Sequence, residues 1–219
     1  DSAVEESDYR SIGIIDDAFK IHADRIRSRI DIDAIRAAKL KVAADCCNGV
    51  GAYYTKEFLE SLGCEVIPLF DEKDGLFRRP PEPVAANLAK LCETVTANGC
   101  AVGFAQDPDG DRISLVDECG HALGEQYSTL IPALRVLQRN RGPVVANIQT
   151  TKALGDLAAR FDVPVFYSKV GEVNVAEAMR LRGAVFGCEG GSGGILWSEV
   201  HPCRDSFSAM ALTLEELAL

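Results

Sequence analysis

An apolar stretch at 101–105 and an alternating one at 113–116 enclose the hexapeptide Asp107-Pro108-Asp109-Gly110-Asp111-Arg112, and no other feature constrains the chain as much. Three carboxylates at alternate positions meet at one point only if the backbone curls tightly between them. Pro108 fixes one φ angle and Gly110 permits a left-handed one, so the curl is built in. Both flanks read as strands, which sets the loop at the carboxyl end of a strand, where open α/β sheets place their chemistry. Oxygen donors without thiolate or imidazole suit Mg²⁺ or a similar hard cation, held by Asp107, Asp109 and Asp111. Arg112 follows directly and keeps its charge, which suits a phosphate beside the metal.

Around this loop the pattern is a βα alternation. From residue 9 to about 29, Ile12, Ile15, Phe19 and Ile26 recur at helical spacing, with Ile30 just beyond, and 32–38 form a second short helix with Asp31 as N-cap. Strands follow at 40–44 and 65–69, with a turn at Asn48-Gly49-Val50-Gly51 and a helix over 53–62 between them. Residues 71–83 read as an irregular polar loop, and 84–98 as one helix closed by Gly99. After His121 the alternation restarts: helix 125–139, strand 144–148, helix 152–160, strand 163–167, helix 173–182, strands 184–186 and 195–197, and a last helix beginning near Asp205. The economical fold class is α/β, as two consecutive three-layer domains with mixed sheets. The predicted division is a linker at 1–8, a first domain over 9–121 and a second over 122–219.

Size and charge exclude several classes. A length of 219 residues allows one large or two small domains at roughly 150 residues each. A net charge of −10 with no basic patch argues against nucleic acid, and no apolar run approaches the ~18 residues of a membrane span. Eight cysteines without paired C-x-x-C spacing read as reduced thiols of a cytoplasmic protein rather than disulfides or a zinc site. His22, His121 and His201 are scattered and read as surface or capping residues.

The acidic loop has rival owners. An EF-hand wants glycine at its sixth position and helices on both sides, whereas Arg112 holds that place between strands. An aspartyl phosphatase would use Asp107 as nucleophile and wants a different residue pattern downstream. A polar hairpin with solvated acids needs no ligand at all.

The residues resemble a known family, the α-D-phosphohexomutases, which include phosphoglucomutase, phosphomannomutase and phosphoglucosamine mutase. Besides the acidic loop, Ala44-Asp45-Cys46-Cys47-Asn48-Gly49-Val50-Gly51 is similar to the family's V-D-x-x-N-G-x-G segment, and Gly124-Glu125-Gln126-Tyr127 to its G-E/D-x-Y. Lys169-Val170-Gly171-Glu172-Val173-Asn174-Val175 resembles its K-V-G-D-x-x-V turn, and Gly187-Cys188-Glu189-Gly190-Gly191-Ser192-Gly193-Gly194 its sugar-reading G-G-E-x-S/N-G loop. The order of the motifs matches the second and third of the family's four domains.

The resemblance implies that Asp107, Asp109 and Asp111 hold Mg²⁺ bridged to a phosphoserine and that Arg112 steadies that phosphate. It also implies that Glu189 and Ser192 read sugar hydroxyls, while Glu172 is a candidate general acid/base or a helix N-terminal acid favoured by the dipole, and Lys169 meets a substrate phosphate or is simply solvated. Here both Gly190 and Gly191 separate Glu189 from Ser192, where the family has one residue, and Gln149 stands where some relatives carry a lysine. The family's nucleophilic serine context and its terminal phosphate-gripping loop are not in this sequence. The expectation is therefore a fragment of an enzyme that interconverts hexose 1-phosphate and hexose 6-phosphate. Its partners would be the hexose phosphate and the parent's first and fourth domains, and the chain alone would be inactive. The alternative is a stand-alone, non-catalytic module binding metal and sugar phosphate.

Overall fold

The structure, a computed structural model, describes residues 17–219, so the readings at residues 1–16 lie outside it. Two helices, α1 (Ala18–Arg27) and α2 (Ile32–Ala38), precede the first sheet, whose strands are β1 (Lys41–Asp45), β2 (Glu65–Leu69), β3 (Val102–Gln106) and β4 (Ile113–Asp117). Helices α3 (Gly51–Ser61) and α4 (Ala89–Asn98) join its parallel strands. The second sheet has β5 (Val144–Asn147), β6 (Val165–Ser168), β7 (Phe186–Glu189) and β8 (Gly194–Trp197), with α5 (Glu125–Arg139) before it. Helices α6 (Ala153–Ala159) and α7 (Glu172–Arg182) are its crossovers, and α8 (Ser206–Ala218) follows.

The two sheets have one topology. Strand order is β2-β1-β3-β4 in the first and β6-β5-β7-β8 in the second, and in each only the last strand is antiparallel. Alternation along the strands separates the faces, as a period of two requires. Val42 and Ala44 of β1 pack with Phe58, Leu59 and Leu62 toward α3, while Ala43 packs with Leu91 and Val95 of α4. Likewise Val144 and Ala146 face α5 and α8, and Val145 faces Val175 and Met179 of α7. Gly103 and Gly187 stand at equivalent places. A Cβ on Gly103 would lie 2.7 Å from Val95, and one on Gly187 2.3 Å from Met179, so the missing side chains let a crossover helix lie close to its sheet.

One apolar cluster runs through both modules, because α5 packs on β4 of the first sheet and on β7 and β8 of the second, and α8 packs on α5, α2 and α1. Buried Glu215 of α8 locks this layer. Its carboxylate accepts from the Asp31 backbone N–H at 2.7 Å and lies 2.9 Å from Arg135 and 3.0 Å from Arg139. Caps set the helix starts as read: Asp31 accepts from Ala34 N at 2.9 Å, and Asp205 from Phe207 N at 3.0 Å and Ser208 N at 3.2 Å.

Two readings need correction. The helix expected over 84–98 is a 3-10 turn, Ala85–Asn87, followed by α4, because the chain leaves helical geometry at Leu88 (φ −104°, ψ 11°), whose side chain is fully buried. The strand expected at 184–186 runs instead over Phe186–Glu189. Pairing to β5 and β8 overrides the low strand propensity of Gly187, so Glu189 belongs to a strand end and not to a loose loop. The histidines read as surface or capping residues have these places: His22 Nε2 is 3.0 Å from the Asp205 cap and exposed His121 Nδ1 is 3.1 Å from Asp117. All eight cysteines are free thiols, five of them buried, and no helix among the described residues is long and apolar enough to cross a membrane.

Candidate active site at the two sheet switch points

In each sheet the crossovers leave β1 and β5 on opposite faces, so the strand ends at β1/β3 and at β5/β7 open a crevice. The acidic hexapeptide occupies the first crevice and the glycine-rich loop the second. They meet: Ile113 N–H donates to the Gly193 carbonyl at 3.3 Å, and a Cβ on Gly193 (φ +73°) would lie 2.3 Å from the Ile113 carbonyl.

The acidic loop closes as a turn, with Gly110 N–H donating to Asp107 O at 3.2 Å and Gly110 at φ +73°. One carboxylate oxygen from each of Asp107, Asp109 and Asp111 lies within 4.8 Å of the other two. Asp107 is fully buried and accepts from Arg112 N at 3.1 Å and Arg112 Nε at 2.6 Å. That occupancy leaves it no nucleophile's exposure, which argues against the aspartyl-phosphatase reading. Desolvation and then the Asp107 carboxylate push the Asp109 pKa above its ordinary value. Burial alone would lower the Arg112 pKa, but Glu82 and Asp107 together hold it above its ordinary value.

Three neighbours brace the loop. Val50 N–H donates to Pro108 O at 2.8 Å, and a Cβ on Gly49 would lie 2.2 Å from that oxygen, so the Asn-Gly-Val-Gly turn is a buttress. Ser206, at the start of α8, donates to Gly110 O through its hydroxyl and accepts from Gln106 Nε2 at 2.7 Å. Arg79, from the polar loop, donates to Gln106 O at 2.6 Å.

On the second sheet, Glu189 is 4% exposed and fully engaged. It accepts from Asn147 Nδ2 at 2.9 Å, from Gly171 N–H at 2.7 Å and from Arg204 at 3.1 Å. Gly190 N–H donates to Thr150 Oγ1 at 3.0 Å, and a Cβ there would meet Gln126 at 2.4 Å. The extra glycine thus lets the turn sit tightly on its neighbours, and Ser192 closes it by donating from N to Glu189 O at 3.0 Å. Glu172 opens α7 and accepts from Arg204 N–H at 2.7 Å. Lys169 is exposed on the turn before it.

Two residues that the sequence reading missed complete the arrangement. Glu82 forms a two-pronged pair with Arg112. Arg204 pairs with Asp111, with Glu189 and with Glu172, whose Oε2 is 3.5 Å from Arg204 Nε. One signal was available: a cation directly before an N-cap opposes the positive end of the helix dipole, and so asks for carboxylate partners elsewhere. A cleft of about 440 Å³ opens beside the loop, lined among others by His22, Val50, Asp109, Asp111, His201 and Arg204.

The acidic trio fits a hard divalent cation. All its donors are oxygens, and the buried Asp111 Oδ1 has no hydrogen-bond partner, with Arg112 Nε 3.4 Å away. Arg112 and Arg204 pair with members of the trio but are each shared with acids outside the loop, which leaves the trio only partly compensated. A second grouping, Asp117, Cys119 and His121, is a turn at the opposite end of β4, closed by Cys119 and His121 N–H groups on Asp117.

Two family models match the chain: phosphoglucomutase/phosphomannomutase alpha/beta/alpha domain II over residues 20–120, and domain III over residues 124–219. The chain is 33% identical over 205 residues to a phosphoglucomutase/phosphomannomutase of Thermococcus kodakarensis, covering 93% of this chain and 45% of that protein. It is 35% identical over 169 residues to a phosphomannomutase/phosphoglucomutase of Pseudomonas syringae, covering 76% and 36%. The crystal structure of a phosphoglucomutase/phosphomannomutase family protein of Burkholderia thailandensis superposes with a TM-score of 0.79 at 28% identity, covering 91% of this chain and 43% of that one. Fold and sequence thus define a pair of phosphohexomutase middle domains. The chain belongs to the phosphoglucomutase/phosphomannomutase family, as domains II and III, and spans less than half the length of these relatives.

Proposed function

We propose that this chain supplies the cation-holding and sugar-reading loops of a phosphohexomutase that interconverts hexose 1-phosphate and hexose 6-phosphate, its two halves dividing near residue 121. The observation that carries the proposal is the meeting of the two switch-point loops, with three carboxylates inside 4.8 Å on one side and Glu189 and Ser192 on the other.

In this reading Asp107, Asp109 and Asp111 hold Mg²⁺. When bound, the ion would neutralise charge on a phosphoryl group beside the loop. Arg112 offers a fixed cation for the same phosphate once Glu82 yields its place. Glu189 and Ser192 orient sugar hydroxyls, and the rigid setting of Glu189 by Asn147 and Gly171 pre-organises that contact. Lys169, exposed on its turn, meets the substrate's distal phosphate, and Glu172 exchanges a proton with the reacting hydroxyl. The phosphoryl carrier is a serine in another part of the parent, so the 219-residue chain alone turns over no hexose phosphate.

The test is to assay the full-length parent and the 219-residue chain on the 1-phosphates of glucose, mannose and glucosamine with Mg²⁺. Turnover by the parent alone supports the proposal. Inactivity of the parent on all three, or turnover by the short chain, overturns it.

A further inference from the structure

We propose that Arg204 is a positioning residue that couples the two loops: it sets Asp111 for the cation and transmits cation binding to Glu189 and Ser192. This rests on the cation-holding reading of the acidic trio above.

Arg204 stands at the only place in the described residues where one side chain contacts the acidic loop, the glycine-rich loop and the α7 start. Its NH2 pairs with Asp111 Oδ2, its NH1 reaches Glu189 Oε2 at 3.1 Å and Ser192 Oγ at 3.4 Å, and its Nε lies 3.5 Å from Glu172 Oε2. The guanidinium is planar and its donors are fixed relative to one another, so placing one carboxylate places the others. The stem is held too. Arg204 N–H donates to Glu172 Oε1 at 2.7 Å, and Asp205 N–H to Ile195 O at 3.0 Å. The side chain passes over Gly194, where a Cβ would lie 2.3 Å from Arg204 Cδ, so bare backbone is required for its path.

The consequence for Asp111 is directional. With Oδ2 taken by Arg204, the other oxygen, Oδ1, is left buried and without a hydrogen bond, 3.4 Å from Arg112 Nε, in a trio whose members each bring one carboxylate oxygen within 4.8 Å of the others. A partner that orients a metal-holding carboxylate typically changes metal affinity by about 10–100-fold. The coupling is reciprocal: a cation that draws Asp111 charge strengthens the hold of Arg204 on Glu189 and Ser192, and sugar-side order favours the cation equally.

Mn²⁺ binding, read from the electron paramagnetic signal of the free ion, tests this on the purified chain with R204K, which keeps the charge and loses the fork. We expect Mn²⁺ affinity about tenfold lower in R204K at unchanged secondary structure. Hydrogen exchange gives a second readout: Mg²⁺ slows amide exchange over residues 187–194 in the unsubstituted chain and not in R204K. Equal Mn²⁺ affinity in both, or an equal Mg²⁺ response of the glycine loop, overturns the coupling and leaves the cation reading standing. Failure of the unsubstituted chain to bind Mn²⁺ overturns the cation reading itself, and the coupling with it.

Discussion

Arg79 Nε lies 2.7 Å from Asp45 Oδ2, with the two side chains only 5% and 1% exposed, so a residue of the irregular polar loop is pinned beneath the acidic loop. The same guanidinium donates to Gln106 O, one residue before Asp107, and to the carbonyls of Pro80 and Pro81. Desolvation raises the Asp45 pKa against the pull of Arg79, which marks a carboxylate that depends on its partner. R79M strands that carboxylate, and breaking a buried pair from one side costs about 3–5 kcal/mol. Urea unfolding should show a loss of that order, partly restored by adding D45N. A loss under about 1 kcal/mol would mean that the pair is dispensable.

Asp109 is the exposed member of the trio, and its carboxylate is disfavoured by its surroundings and by Asp107. D109N should therefore leave the metal-free chain as stable as before or slightly more so. Saturating Mg²⁺, at about 100 times its dissociation constant, should stabilise the unsubstituted chain by about 2.7 kcal/mol through linkage. D109N should lose most of that gain at the same Mg²⁺ concentration. Thermal unfolding with and without Mg²⁺ reads both effects, and equal gains in the two proteins would remove Asp109 from the ligand set.

His22 of α1 bonds the Asp205 cap of α8, and that hydrogen bond raises its pKa above 6.5, opposed by desolvation and by nearby Arg25. The folded state thus favours the charged ring. The contact contributes its full stability below about 6.5 and loses it as pH rises through the higher folded-state value. Unfolding free energy should decline across that window, and H22Q should flatten the decline. An identical slope in H22Q would assign the pH dependence to other groups.

Gly49 has an ordinary φ, so space rather than conformation demands it: its Cβ would sit 2.2 Å from Pro108 O and 2.6 Å from Pro108 Cα. G49A should push the acidic loop away from its buttress. Overpacking of this kind costs about 1–3 kcal/mol, and Mn²⁺ binding should weaken with it. A G49A protein with full stability and full Mn²⁺ affinity would show that the turn and the loop move independently.

What could be read along the chain was whatever depends on near neighbours. The strand at 65–69 and the helix at 125–139 have the bounds their patterns suggested, because alternation, helical spacing and punctuation by Gly63, Gly124 and Arg139 act within a few residues. The acidic trio was visible for the same reason: its members lie within five consecutive residues and need only one turn to converge. The division of α4 from its preceding turn was hidden, because burial of Leu88 against the sheet decides it. The shared topology of the two sheets left no visible sequence repeat, since it is carried by pairing and by single glycines such as Gly103 and Gly187.

The sequence by itself determined most of the elements, the donor chemistry of the acidic loop and the turn-forming residues beside it, all consequences of local stereochemistry and side-chain type. Only the tertiary structure decided which charges meet. Arg204 reaches Asp111 across 93 positions, Arg112 reaches Glu82 across 30 and Arg79 reaches Asp45 across 34. A charge carries no address in the chain. Its partner is chosen when crossover helices and a common apolar layer bring distant strand ends together, where desolvation makes an unpartnered ion too costly to leave alone.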